Sequence, residues 1–300
     1  MTGTALILGP SGKIGSNASR AFEAAGWHVR HYKRGTDMTE AARGADVIVN
    51  GLNPPNYHDW DRIIPAITAQ VIAAAEASGA TIIHPATVYN LGDRPGTWDE
   101  TTPHRPVARK GRIREEMEDA FRASSAQVIL LRAGHFIDPE RDDDIMGIGH
   151  LRALRRGRVT ALGGTDVHQA YAYLPDWSRA AEALAARRET LPRYNDIPFP
   201  GHSFSVRELT ARLEGLSGRP LKIFHFPWWL FRVTGPLWEL AREMTEMRYL
   251  YETDHRLGAT RLSALLPEFR ATELDAVLRR CLPEGWQRAG GAPMTVAANG

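Results

Sequence analysis

The stretch TALILGPSGKIG, residues 4–15, decides how the chain is read. A short, mostly apolar run stops at a turn holding Gly9, Gly12 and Gly15 in a G-x-x-G-x-x-G spacing, and SNASRAFEAAG (16–26) carries on as a helix to Gly26, a good C-terminal cap. Strand, glycine turn and helix in that order meet the demands of a pyrophosphate: a tight turn, a close backbone approach, and a helix N-terminus whose free N–H groups and dipole favour negative charge. Gly9, Ser11, Gly12, Lys13, Ile14 and Gly15 are therefore the candidate cofactor-binding residues.

The next strand bears on which dinucleotide is bound. An NAD site wants a carboxylate at its end for the ribose 2′-hydroxyl, whereas a 2′-phosphate wants cations. Here HVRHYKRGTD (28–37) places Lys33 and Arg34 where the acid would stand, and Asp37 comes later, so NADP is expected. The alternative is a solvated basic loop.

Further β-branched runs follow at DVIVN (46–50), TIIHP (81–85) and QVILLR (127–132), separated by helical stretches such as WDRIIPAITAQVIAAAEASG (60–79). This alternation predicts an α/β fold, a Rossmann-type doubly wound parallel sheet covered on both faces. AYAYLP (170–175) and the helix after it resume the pattern, so the NADP-binding domain is expected to span 1–189, with residues about 136–168 contributing to the substrate pocket. The texture then changes, and 190–288 reads as a smaller, mostly helical substrate-binding domain with one short strand, LKIFHF (221–226). The Ala/Gly-rich end, 289–300, reads as a disordered tail.

Composition narrows the function classes. Thirty-seven basic against 35 acidic side chains leave +2, too little to argue for nucleic acid. The single Cys281 excludes an internal disulfide, and the most apolar stretch, 223–241, is interrupted by His225, Arg232 and two prolines, so no membrane span is expected. A cytoplasmic protein acting on a small-molecule substrate follows as the expectation. The run Asp142, Asp143, Asp144 has no His or Cys at ligand spacing and reads as a solvated loop, so no metal is expected.

In GPSGKIG, GADVIVN (44–50), HPATVYN (84–90), DETTPHRP (99–106), LLRAGHFIDP (130–139) and AYLPDWSRAAEAL (172–184) the chain resembles the extended branch of the short-chain dehydrogenase/reductase superfamily, the NAD-dependent epimerase/dehydratase type. The resemblance implies a catalytic Ser or Thr at Thr87, a substrate pocket built by the C-terminal part, and a possible homodimer through the helix after the third strand and the helix that carries the catalytic pair. It also exposes a departure. Such proteins place a Tyr four residues before a Lys in a pattern like P-x-x-x-Y-G-x-x-K-x-x-x-E, but residues 106–118 read PVARKGRIREEME, with Lys110 at the Tyr position and Arg114 at the Lys position.

Lys110 and Arg114 share a helical face, and Lys110 has no carboxylate three or four residues away to offset the repulsion. The expectation is that cofactor and substrate supply their partners. Lys110 would polarise or protonate the substrate carbonyl, Arg114 would bond the ribose hydroxyls, and Glu118 is a possible helical mate for Arg114. Tyr89 is a second candidate acid, two residues after Thr87 on the same strand, its alternative being an aromatic packed beside the nicotinamide. His84 reads as a core histidine, His135 as a possible substrate contact at a strand end, and Trp228, Trp229 and Phe231 as helix core. Three readings stay open: an NADP(H)-dependent oxidoreductase on a small carbonyl or alcohol, a non-catalytic NADP-binding sensor, and a nucleotide-sugar epimerase or dehydratase.

Overall fold

The computed structural model describes residues 3–54, 57–141, 143–235 and 238–286. The expected tail at 289–300, and Asp142, lie outside them. The first half alternates strand and helix: β1 Thr4–Leu8, α1 Lys13–Ala24, β2 His28–His31, α2 Met38–Ala42, β3 Val47–Asn50, α3 Trp60–Ser78 and β4 Thr81–His84. There follow β5 Gly96–Trp98, α4 Arg109–Ala123, β6 Val128–Arg132, β7 His135–Ile137, β8 Arg158–Ala161, β9 Gln169–Tyr173 and α5 Leu174–Ala186. The remainder comprises β10 Tyr194–Pro198, β11 His202–Phe204, α6 Val206–Ser217, β12 Lys222–His225, α7 Trp228–Thr234, α8 Glu239–Glu246, α9 Arg248–Glu252, β13 His255–Leu257, α10 Thr260–Leu265 and α11 Leu274–Cys281.

A six-stranded sheet runs β10-β6-β4-β3-β1-β2 with every pairing parallel. Its inner strands are buried on both faces, which is why β3, β4 and β6 are continuous apolar runs with no alternation. One face carries α1 and α5 over Phe22, Ile129, Leu131 and Trp177; the other carries α3 and α4 over Ile48, Ile82, Trp60 and Phe121. No helix among the described residues is long and apolar enough to cross a membrane.

Three expectations about organisation are corrected. Strand β9 does not extend the main sheet but pairs with β7 and β11 in a separate three-stranded sheet, while its helix α5 still covers the main one. And β10, beyond the expected boundary at 189, completes the main sheet beside β6. Its sequence, YNDIP, has no β-branched run to announce it, and long-range pairing supplies the strand instead. The substrate-side part is also less helical than expected, since β8 pairs with β12 and β5 with β13, interleaving the two halves of the chain. Trp228 is buried, its indole donating to the Leu162 carbonyl at 2.7 Å, but Trp229 faces solvent and is not core.

Candidate active site

The carboxyl ends of β1 and β3 meet at the glycine turn. Gly9 sits at φ +69°, and a Cβ on Gly15 would stand 2.2 Å from the Gly9 carbonyl oxygen, so the turn and the first helical residues are in backbone contact. Gly51, at the end of β3, closes against the same place, its added Cβ meeting the Leu8 carbonyl at 2.6 Å. Gly12 is the N-cap of α1 and provides no side-chain cap. The first amides of the helix therefore have neither an intrahelical acceptor nor a capping oxygen. That is a cradle for an anion, and it fits the pyrophosphate of a dinucleotide. Gly12 itself is less crowded than Gly15, an added Cβ meeting only the Gly9 oxygen at 3.3 Å.

The flanking cations divide. Lys13 turns away from the cradle and pairs with Asp143, Nζ to Oδ1 at 3.1 Å. Ser11 uses its carbonyl to accept from the Arg141 guanidinium at 2.8 Å. Lys33 and Arg34 stand exposed just beyond β2, and neither side chain has a hydrogen-bond or ion-pair partner among the described residues. Asp37 is committed elsewhere, its carboxylate capping α2 through the Glu40 amide at 3.0 Å.

The chain leaves β4 at His84, so Thr87 and Tyr89 do not share a strand face as expected. Tyr89 instead opens a 3-10 turn, Tyr89–Leu91, and the Thr87 hydroxyl lies 3.5 Å from its amide. Around Tyr89 gather further phenols. Tyr249 donates its hydroxyl to the Tyr89 carbonyl at 3.2 Å, and the Tyr57 phenol is an electrostatic neighbour of Tyr89. The Tyr57 hydroxyl is held well above its ordinary pKa by the neighbouring Tyr89 and by burial, and burial does the same to Tyr249 and Tyr251. These groups are neutral donors at physiological pH. His135 stacks on Tyr251 with ring centroids 5.5 Å apart, and burial pushes it down to about 3, so it is a neutral ring as well. His84 is buried, 3.2 Å from the Asn50 amide, and is driven well below its ordinary value by burial and by the Arg114 and Arg132 charges.

Lys110 is where expectation and structure part. Its side chain is fully buried, and its ammonium is ion-paired with Glu243 and with Glu246, the latter at 2.6 Å, both from α8. Glu246 also accepts from the Lys110 amide at 3.0 Å. The missing helical partner is thus supplied from 133 and 136 residues further along the chain, not by cofactor or substrate. Burial raises the Glu243 carboxyl, but Lys110 and Arg109 outweigh it and hold the group below its ordinary value. Arg114 does not pair with Glu118 either. It donates to the Asn53 side chain at 2.8 Å and lies 4.4 Å above the Trp60 ring, with its Nε buried and unpartnered.

Glu118 belongs to Arg132, a residue that sequence reasoning passed over. The Arg132 guanidinium, buried at the end of β6, bonds Glu118 at 2.7 Å and Asp196 at 2.6 Å, and donates to Asn90 at 3.1 Å and to the Thr87 carbonyl. It ties the Thr87 to Asn90 segment to α4 and β10. An arginine ending a strand inside an otherwise apolar run was the only signal of this role in the sequence.

No protein-family model matches the chain. Among curated proteins it is similar to Protein YeeZ of Escherichia coli K12, 28% identical over 158 residues; the match covers 43% of this chain and spans only 58% of YeeZ. Solved structures with a similar fold include UDP-glucuronic acid 4-epimerase from Bacillus cereus in complex with UDP-glucuronic acid and NAD, at TM-score 0.71 and 16% identity over 92% of this chain and 97% of that one. Another is TunA, an NAD-dependent NDP-hexosamine 5,6-dehydratase of tunicamycin biosynthesis, at TM-score 0.70 and 15% identity over 93% and 97%. MoeE5, in complex with UDP-glucose and NAD, matches at TM-score 0.70 and 14% identity over the same shares. The chain has the fold of the NAD-dependent epimerases and dehydratases of the extended short-chain dehydrogenase/reductase type, the architecture that its sequence resembles.

Proposed function

We propose that the chain is an NADP(H)-dependent oxidoreductase acting on a small carbonyl or alcohol, with Tyr89 in place of the residue at 110 as proton donor. The observation that carries this reading is the Tyr89 phenol two residues beyond Thr87, just past the carboxyl end of β4, with the neutral Tyr57 phenol as its neighbour. Gly9, Ser11, Gly12, Lys13, Ile14 and Gly15 form the anion cradle's turn, and Arg114 has a buried donor left for a ribose hydroxyl. When bound, the nicotinamide supplies or accepts the hydride. The Thr87 hydroxyl orients the substrate oxygen and Tyr89 gives it a proton, which solvent restores. Lys110 is a positioning residue that fastens α8 over this end of the sheet.

Tyr89→Phe tests the assignment. Cofactor affinity is expected within a few-fold of wild type, while turnover across a panel of aldehydes, ketones and alcohols falls by roughly a hundredfold or more. Unchanged turnover removes Tyr89 from the mechanism, and a wild type that binds NADPH yet turns over nothing on the panel favours the sensor.

Cofactor choice rests on Lys33 and Arg34. A Lys33→Ala, Arg34→Ala double variant is expected to lose most of its preference for NADP over NAD in fluorescence titrations, and an unchanged ratio returns the site to NAD. The solved structures that hold UDP-sugars with NAD support the epimerase or dehydratase as the second reading. Product formation from a UDP-sugar without net cofactor consumption is the outcome that would select it.

A further inference from the structure

A cavity of about 420 Å³ opens between residues 137–141 and 144–155 and the end of α11. Four guanidinium groups reach its walls: Arg141, Arg152, Arg155 and Arg280. Two are held in place, Arg141 by the Ser11 carbonyl at 2.8 Å and Arg280 by the Tyr173 hydroxyl at 3.1 Å. Arg152 and Arg155, three residues apart on the opposite flank, have no hydrogen-bond or ion-pair partner among the described residues. Like charges at that spacing repel one another, and no carboxylate pairs with either among the described residues.

The two acids at the cavity do not serve. Asp144 accepts from the Gly147 amide at 2.8 Å and the Asp138 amide at 2.5 Å, and Asp138 accepts from the Asn17 side chain at 3.0 Å and the Glu140 amide at 3.3 Å. Neither carboxylate pairs with a lining guanidinium, and four arginines against these two acids leave the described lining with an excess of positive charge. Its floor is apolar, formed by buried Met146, Leu154 and Leu282. Planar guanidinium forks around a small volume match phosphate geometry, and an apolar floor accommodates the organic part of an ester.

We propose that this cavity is a second binding site, separate from the dinucleotide cradle, for a small organic phosphate monoester. The phosphoryl oxygens meet Arg152, Arg155 and Arg280, and the apolar part lies on Met146 and Leu154. Arg141 links the site to the cofactor turn through Ser11, so occupancy is placed to affect the cradle.

Phenyl phosphate is a suitable probe, titrated calorimetrically into the full chain at low ionic strength, with phenol and inorganic phosphate as references. One-to-one binding is expected, tighter than for either reference and weakened tenfold or more by Arg152→Ala, Arg155→Ala. The same binding is expected to persist in the Lys33→Ala, Arg34→Ala variant, which separates this cavity from the cofactor site. Both replaced arginines are exposed, so the variant should keep the wild-type circular dichroism and melting curve. Absence of binding, binding that survives loss of Arg152 and Arg155, or binding abolished by the Lys33, Arg34 change each overturns the proposal.

Discussion

Lys110→Ala is expected to lower the unfolding free energy by about 3–5 kcal/mol, the usual result of leaving a buried charge without its partner. Glu243 is the charge left behind: it is 4% exposed and would keep only Arg109 and the neighbouring Arg242. An exposed lysine on a solvated helix would cost less than about 0.5 kcal/mol on removal, so urea denaturation distinguishes the two cleanly. Replacing Lys110→Met together with Glu243→Leu should recover part of the loss, because no fully buried charge is then left without its partner, while Glu246 and Arg109 are partly exposed to water. The pH dependence has a definite sign. Because the folded-state Glu243 pKa is depressed, its contribution is fully present at neutral pH and is lost as pH falls through and below the ordinary carboxylate range. A Lys110→Ala protein as stable as wild type at pH 7 would contradict the ion-pair reading.

Arg132→Met should be at least as damaging, by about 3–5 kcal/mol, since it strands Glu118, which has no exposed side-chain surface, together with Asp196. For a chain of this size that corresponds to a fall in Tm of very roughly 6–15 °C. Donor atoms of His104, Glu118 and Asp196 lie within 4.8 Å of one another, an arrangement that could hold a metal, but Arg132 already bridges the two carboxylates. The substitution also frees the Thr87 carbonyl and Asn90 side chain, so turnover should fall further than stability alone explains when assayed well below the melting transition. A variant that melts within a degree or two of wild type would show that these contacts are not what holds the Thr87 segment.

Helix α8, which holds both of the carboxylates that meet Lys110, shows how far local reading reaches. Its acids at 243 and 246 are visible in the sequence, yet nothing within four residues of Lys110 points to them. The same distance hides the Arg132 cluster, which draws Glu118 from 14 residues back and Asp196 from 64 residues on. Tyr89 stands as a candidate in the sequence only through its spacing from Thr87. The strand-face reasoning assumed that β4 continues through it, whereas the chain turns at His84, and the proximity to Tyr57 comes from a residue just ahead of α3.

By itself the sequence determined the parallel α/β architecture and the glycine turn. Continuous apolar strands, capped helices and closely packed glycines act over a few residues, so short windows contain the whole physical cause. Tertiary structure alone decided which side chains meet Lys110, that β10 completes the sheet and β9 does not, and that Lys33 and Arg34 have no partner among the described residues while Lys13 is engaged by Asp143. Those outcomes depend on desolvation and pairing between segments tens to more than a hundred residues apart. A buried charge takes whichever opposite charge the fold brings to it, and only the folded chain specifies that partner.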